Sequence, residues 1–224
     1  MMSKTHIVNG ISLSLLLLLP HGIKSMIPVI IGAAIGSVIS DLDSYSDSDW
    51  NPDNLRLIES SDDPERIKRR LDARTGGIIV SAVIAVSLLV DYFVDDGLIN
   101  NVIRGNHIMQ IMGLVGFLTV CLCCRFSERN SFSHSFLALG LEAISLLLIF
   151  PKIIFAFIIA YVSHLFLDLL NYKEIRLFFP AEKGFCFDGF EEDGLTNKVL
   201  LIAGCAFLVY SIICCIIEKR LFFV

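Results

Sequence analysis

The chain has 224 residues, 55% of them hydrophobic and only 18% charged, with a mean hydropathy of +0.72 and a formal charge of −5. An ordinary soluble domain is about 45–50% apolar and about 25% charged. The composition therefore excludes a soluble globular domain, and without a single-signed basic field it points away from nucleic acid as a partner.

Apolar periodicity and chain breakers predict an all-α polytopic membrane bundle of six to seven helical segments. They lie near residues 6–19, 26–41, 77–94, 108–124, 135–150, 152–170 and 198–217. The whole of 1–224 reads as one membrane domain, because no polar stretch is long enough for a core of its own.

In the first segment, Lys4 followed by apolar residues 7–19 resembles the charged and apolar regions of a signal peptide. No small-x-small cleavage site follows, so a retained helix is expected. Pro20, His21 and Gly22 make a hairpin to the second segment. At a rise of 1.5 Å per residue these first two segments span about 21–24 Å, short for a bilayer, which predicts tilted, partial or re-entrant helices.

A polar insert, 43–76, separates the second and third segments. Its acidic half brings Asp43, Asp47 and Asp49 close together but lacks the glycine and twelfth-position glutamate of an EF-hand, so a solvated loop is expected. Its second half holds the basic cluster Arg66, Lys68, Arg69 and Arg70, within a stretch at 63–72 that reads as a short surface helix with Pro64 in its first turn.

The fourth segment carries Cys121 and Cys124 in a C-x-x-C. No second pair at zinc-ribbon spacing follows, so both read as small apolar residues of a membrane helix. The fifth opens at His134 and contains Glu142, for which two readings stand: a carboxylate near the functional centre, or a hydrogen-bond partner for a neighbouring helix. Pro151 makes a tight hairpin into the sixth, where His164 and Asp168 stand one helical turn apart on one face. Ionisable groups within a membrane helix are costly and mark functional candidates.

Placing the 43–76 insert on the cytoplasmic side puts thirteen Lys and Arg there and five opposite, in keeping with the positive-inside rule. Alternating helix directions then carry His6, Asp41, His134, His164 and Asp168 to that one cytoplasmic face. Each alone has an ordinary structural reading: an interface histidine, a helix end, a serine-rich cap, an inter-helix hydrogen bond. Together they are what a metal site borne by a helix bundle requires. Histidine nitrogens and carboxylates without thiolates suit Zn²⁺ first, with Mn²⁺ or Fe²⁺ as alternatives. Asp41 is the firmer ligand of its pair, and Asp43 is a further ligand or a general base. His21 and His107 fall on the opposite face.

Four motifs carry a resemblance: Thr5-His6, Ser40-Asp41-Leu42-Asp43, Phe132-Ser133-His134-Ser135, and Ser163-His164-Leu165-Phe166-Leu167-Asp168 with the later Pro180. In order and placement they resemble the YdjM-type membrane-bound metal-dependent hydrolases. That family shows an amino-terminal His, then P-D-x-D, H-R-G-x-T-H-S and S-H-x-x-x-D, followed by a Thr and a Pro. The resemblance implies a bacterial inner-membrane location and a distant similarity to zinc-dependent phospholipases C. From these follows a phosphoester hydrolase whose partner is a membrane lipid or lipid-linked substrate.

The chain departs from the pattern at several positions. Ser40 replaces the proline, and Arg129 falls on the first histidine of the third motif. Ser131 stands at its glycine, Ser133 at its threonine, and Asn171 at the later threonine. Glu128 is a possible replacement ligand, while Arg129 is a candidate clamp for a phosphate or for developing negative charge. A divalent-metal transporter or sensor, a catalytically silent scaffold, and a purely structural His–Asp contact remain as rival readings.

Overall fold

The computed structural model describes residues 3–20, 22–43, 77–78, 80–92, 108–127, 131–170, 174–187 and 195–221. Among them are seven α-helices: α1 Ser3–Leu18, α2 Ile23–Val38, α3 Val80–Tyr92, α4 Ile108–Phe126, α5 Phe136–Ile149, α6 Ile154–Leu169 and α7 Leu195–Leu221. Three short 3-10 turns, Ile39–Asp43, Phe132–His134 and Pro151–Ile153, extend or introduce helices. No strand occurs among the described residues, only an isolated antiparallel bridge between Ile175 and Phe185. The insert beyond Asp43, with its basic cluster and the 63–72 stretch, lies outside the described residues, as do His21, His107, Glu128, Arg129 and Asn171.

Local chemistry sets the helix ends. Gly22 has φ 95°, a conformation that suits a residue without Cβ, and turns the chain from α1 into α2. Pro28 lies within α2, where its missing N–H leaves only the Lys24 carbonyl unmatched, one turn from the helix start. Ser135 caps α5, its Oγ accepting from the Ala138 N–H at 3.1 Å. Pro151 opens the turn that leads into α6.

Four stretches are long and apolar enough to cross a bilayer: Lys24–Asp41, Ile108–Phe126, Pro151–Leu169 and Asn197–Ile217. The second segment thus reaches full length: it begins at Ile23, earlier than expected, and the 3-10 turn carries it to Asp41. By contrast α1, α3 and α5 are shorter apolar helices. The 14 residues of α5 measure about 21 Å, against about 30 Å for a hydrocarbon core.

Helix α1 packs against α7, α2 and α6; α2 lies along α6, and α4 along α5. The α2–α6 approach depends on Gly32 and Gly36. A Cβ at these positions would run into the Ile153 and Phe157 carbonyl oxygens, respectively. This small-xxx-small spacing lets two membrane helices come close. A Cβ at Gly10 of α1 would likewise meet Ser37 Oγ, and Ala160 Cβ at 3.1 Å, so α1, α2 and α6 meet at one level. His6, Ser37 and His164 lie at or within about one turn of that contact.

Candidate metal centre

Four elements deliver the polar group to one end of the bundle. The first turn of α1 brings His6, the 3-10 turn after α2 brings Asp41, the turn before α5 brings His134, and the last turns of α6 bring His164 and Asp168. All three histidines are buried, each no more than 2% exposed. Ligand atoms of Asp41, His134, His164 and Asp168 lie within 4.8 Å of one another.

Asp168 occupies the middle. Its Oδ2 is 2.9 Å from His164 Nε2 and 3.1 Å from His134 Nε2, and its Oδ1 is 3.4 Å from His6 Nε2. Asp41 Oδ1 stands 3.5 Å from His164 Nε2. The His6 and His164 rings stack with centroids 3.9 Å apart. His6 therefore stands beside the four-residue group, on the other oxygen of Asp168. The Asp43 side chain and all of Arg129 lie outside the described residues.

The far side of each of two rings is held. His164 Nδ1 is 2.9 Å from the Ser37 carbonyl oxygen. A carbonyl only accepts, so Nδ1 carries the proton and, in the neutral ring, Nε2 presents its lone pair to the group. His134 Nδ1 lies 2.9 Å from Ser133 Oγ. Tyr161 of α6 in turn donates a hydrogen bond to the Ser133 carbonyl, bracing the turn that holds His134.

His164 Nε2 thus faces a carboxylate oxygen that is also an acceptor. At 2.9 Å two acceptors repel unless a cation lies between them. A proton or a metal ion would supply that cation; His164 Nε2 and His6 Nε2 both stand within 3.4 Å of an Asp168 oxygen. Ligands about 2.0–2.2 Å from a tetrahedral ion stand roughly 3.3–3.6 Å from each other. The separations of 2.9–3.5 Å around Asp168 and His164 are of that order. Imidazole and carboxylate donors without a thiolate, with the outer nitrogens of His164 and His134 anchored, suit a divalent metal ion.

Glu142 is fully buried, but its Oε1 accepts from Cys124 Sγ at 3.7 Å, on α4. Of its two sequence readings the inter-helix partner is the one found. Cys124 is correspondingly a weak donor in addition to a packed apolar residue. Two anchors escaped sequence reasoning. The Ser37 carbonyl leaves no mark in a side-chain pattern, although the Gly32 and Gly36 spacing that positions it is legible. Tyr161, one turn before Leu165 on the buried face of α6, carried no distinguishing neighbour.

Fold and site together define an integral membrane protein of apolar helices with a buried His/Asp group of metal-ligand type. The chain belongs to the YdjM inner membrane protein family, whose family model matches residues 1–222. No curated protein and no solved structure matches the chain.

Proposed function

We propose that the protein is a membrane-bound, metal-dependent hydrolase that cleaves a phosphoester in a lipid or lipid-linked substrate. The observation that carries this reading is the His164 Nε2 lone pair facing Asp168 and Asp41, with Nδ1 committed to the Ser37 carbonyl. Asp41, His134, His164 and Asp168 would hold the ion, Zn²⁺ first, with Mn²⁺ or Fe²⁺ as the alternatives. His6 would serve through the second oxygen of Asp168. A divalent ion there would acidify a water and polarise a phosphoryl oxygen.

The protein residues do the rest. Burial of the three imidazoles keeps bulk water from competing for the ligands. Asp43, the last residue of the turn that carries Asp41, is a general base or a further ligand. Arg129, five residues before His134, is suited to clamp a phosphate oxygen bidentately. The Lys and Arg asymmetry favours a site at cytoplasmic headgroup depth. A lipid phosphate would then reach it without the lipid leaving the bilayer.

The test is hydrolysis of phosphatidylglycerol in mixed micelles by purified protein. Activity should vanish with a chelator, return with Zn²⁺, and fall by more than about 100-fold in His164→Ala. Hydrolysis unaffected by chelation, or none from protein loaded with each of the three metals, contradicts the proposal.

A further inference from the structure

Helices α2, α3, α4 and α5 enclose a cavity of about 380 Å³, partly open to the surroundings. That is within the roughly 300–1,000 Å³ range of pockets that hold small molecules. Its walls include Ala34, Ile39, Val86, Phe117, Leu146 and Ile149, and the one hydroxyl among the lining residues is Ser87. Such walls offer nothing to a headgroup and accept hydrocarbon. An empty space of this size would forfeit dispersion contacts along every wall.

The cavity has a direction. Ile39 belongs to the same 3-10 turn as Asp41, at the end of the bundle that holds the His/Asp group. Leu146 and Ile149 stand 10 and 13 residues beyond Phe136, the first residue of α5. They are therefore about 15 and 20 Å from the His134 end of that helix. The space thus runs from Ile39, two residues before Asp41, towards the opposite end of the bundle. Helix α3 turns Ile84, Leu88 and Leu89 outwards, each more than 40% exposed, so the wall it forms borders the surrounding lipid. In the bilayer interior the abundant apolar species at such an opening is a lipid tail.

We infer that this cavity binds one acyl chain of a membrane phospholipid, with the phosphate end of that lipid at the His/Asp group. The acyl binding stands on the cavity alone. Delivery of the phosphate rests on the hydrolase reading above.

The experiment uses full-length protein in phosphatidylglycerol vesicles doped with a phospholipid that carries a diazirine on one acyl chain. After irradiation, crosslinks are mapped by mass spectrometry. Wild type should label Val86, Phe117 and Leu146 at least as strongly as Ile144 and Leu147, which face outwards on α5. Filling the cavity with Ala34→Phe should sharply lower the wall labelling and leave Ile144 unchanged. Ala82→Leu repeats the test with a smaller intrusion should the larger residue prevent folding. Wall labelling well below that of Ile144 in wild type, or unchanged in the folded filling variant, overturns the inference. His164→Ala should label as wild type does. If wild type labels its walls but binds no divalent metal and hydrolyses no lipid, the hydrolase reading fails and the acyl site stands; metal-dependent hydrolysis with unlabelled walls reverses that outcome.

Discussion

At the scale of single residues, the centre depends on groups that hold its ligands as much as on the ligands. His164 is fixed through Nδ1 by a backbone carbonyl that no substitution removes, whereas His134 is fixed by the Ser133 hydroxyl. If the centre holds a divalent metal as proposed, Ser133→Ala should weaken its binding by about 10–100-fold without abolishing it, measured by competition with a chromophoric chelator. Tyr161→Phe should act differently. It removes the buried donor to the Ser133 carbonyl and should cost about 1–3 kcal/mol of stability, read as a lower melting temperature in detergent. The His/Asp group was legible because His and Asp are rare in apolar runs and the His164–Asp168 spacing is one helical turn. The anchors were not, because a carbonyl and a tyrosine hydroxyl have no signature until the helices are packed.

At the scale of elements, helix packing decides where the ligands stand. Gly32 and Gly36 let α2 lie on the α6 backbone, and that contact sets Ser37 against His164. Gly36→Ala should cost about 1–3 kcal/mol through overpacking, and should also weaken metal binding, since the Cβ meets the Phe157 carbonyl and pushes α2 away. A pure stability effect with unchanged affinity would separate the glycine contact from the centre. Alternation of apolar runs with Pro, Gly and polar breaks located all seven helices to within a few residues. Length was read less well: the second segment starts at Ile23, three residues before the expected start, and its end at Asp41 is reached through the 3-10 turn after Val38. That same turn carries Asp41, at a helix end where its side chain reaches His164.

At the scale of the whole molecule, the His/Asp group ties together the first turn of α1, the ends of α2 and α6, and the turn before α5. These elements are up to 162 residues apart in sequence, from His6 to Asp168. An ion bound there would stabilise the assembled bundle over any state in which one of them has moved away. With free zinc at about 1,000 times Kd the gain is about 4 kcal/mol, so chelation should lower the melting temperature of wild type and leave that of Asp168→Ala unchanged. Convergence of these residues at one membrane face followed from counting helix reversals, but their distances did not, since helix tilts and crossing angles come from packing. Elemental analysis of purified protein, wild type beside Asp168→Ala, tests the metal centre most directly. Wild type should carry stoichiometric zinc, or manganese or iron in its place, and the variant little or none. A metal-free wild type after purification in zinc-supplemented buffer, or a variant that keeps its full metal content, would contradict the centre described here.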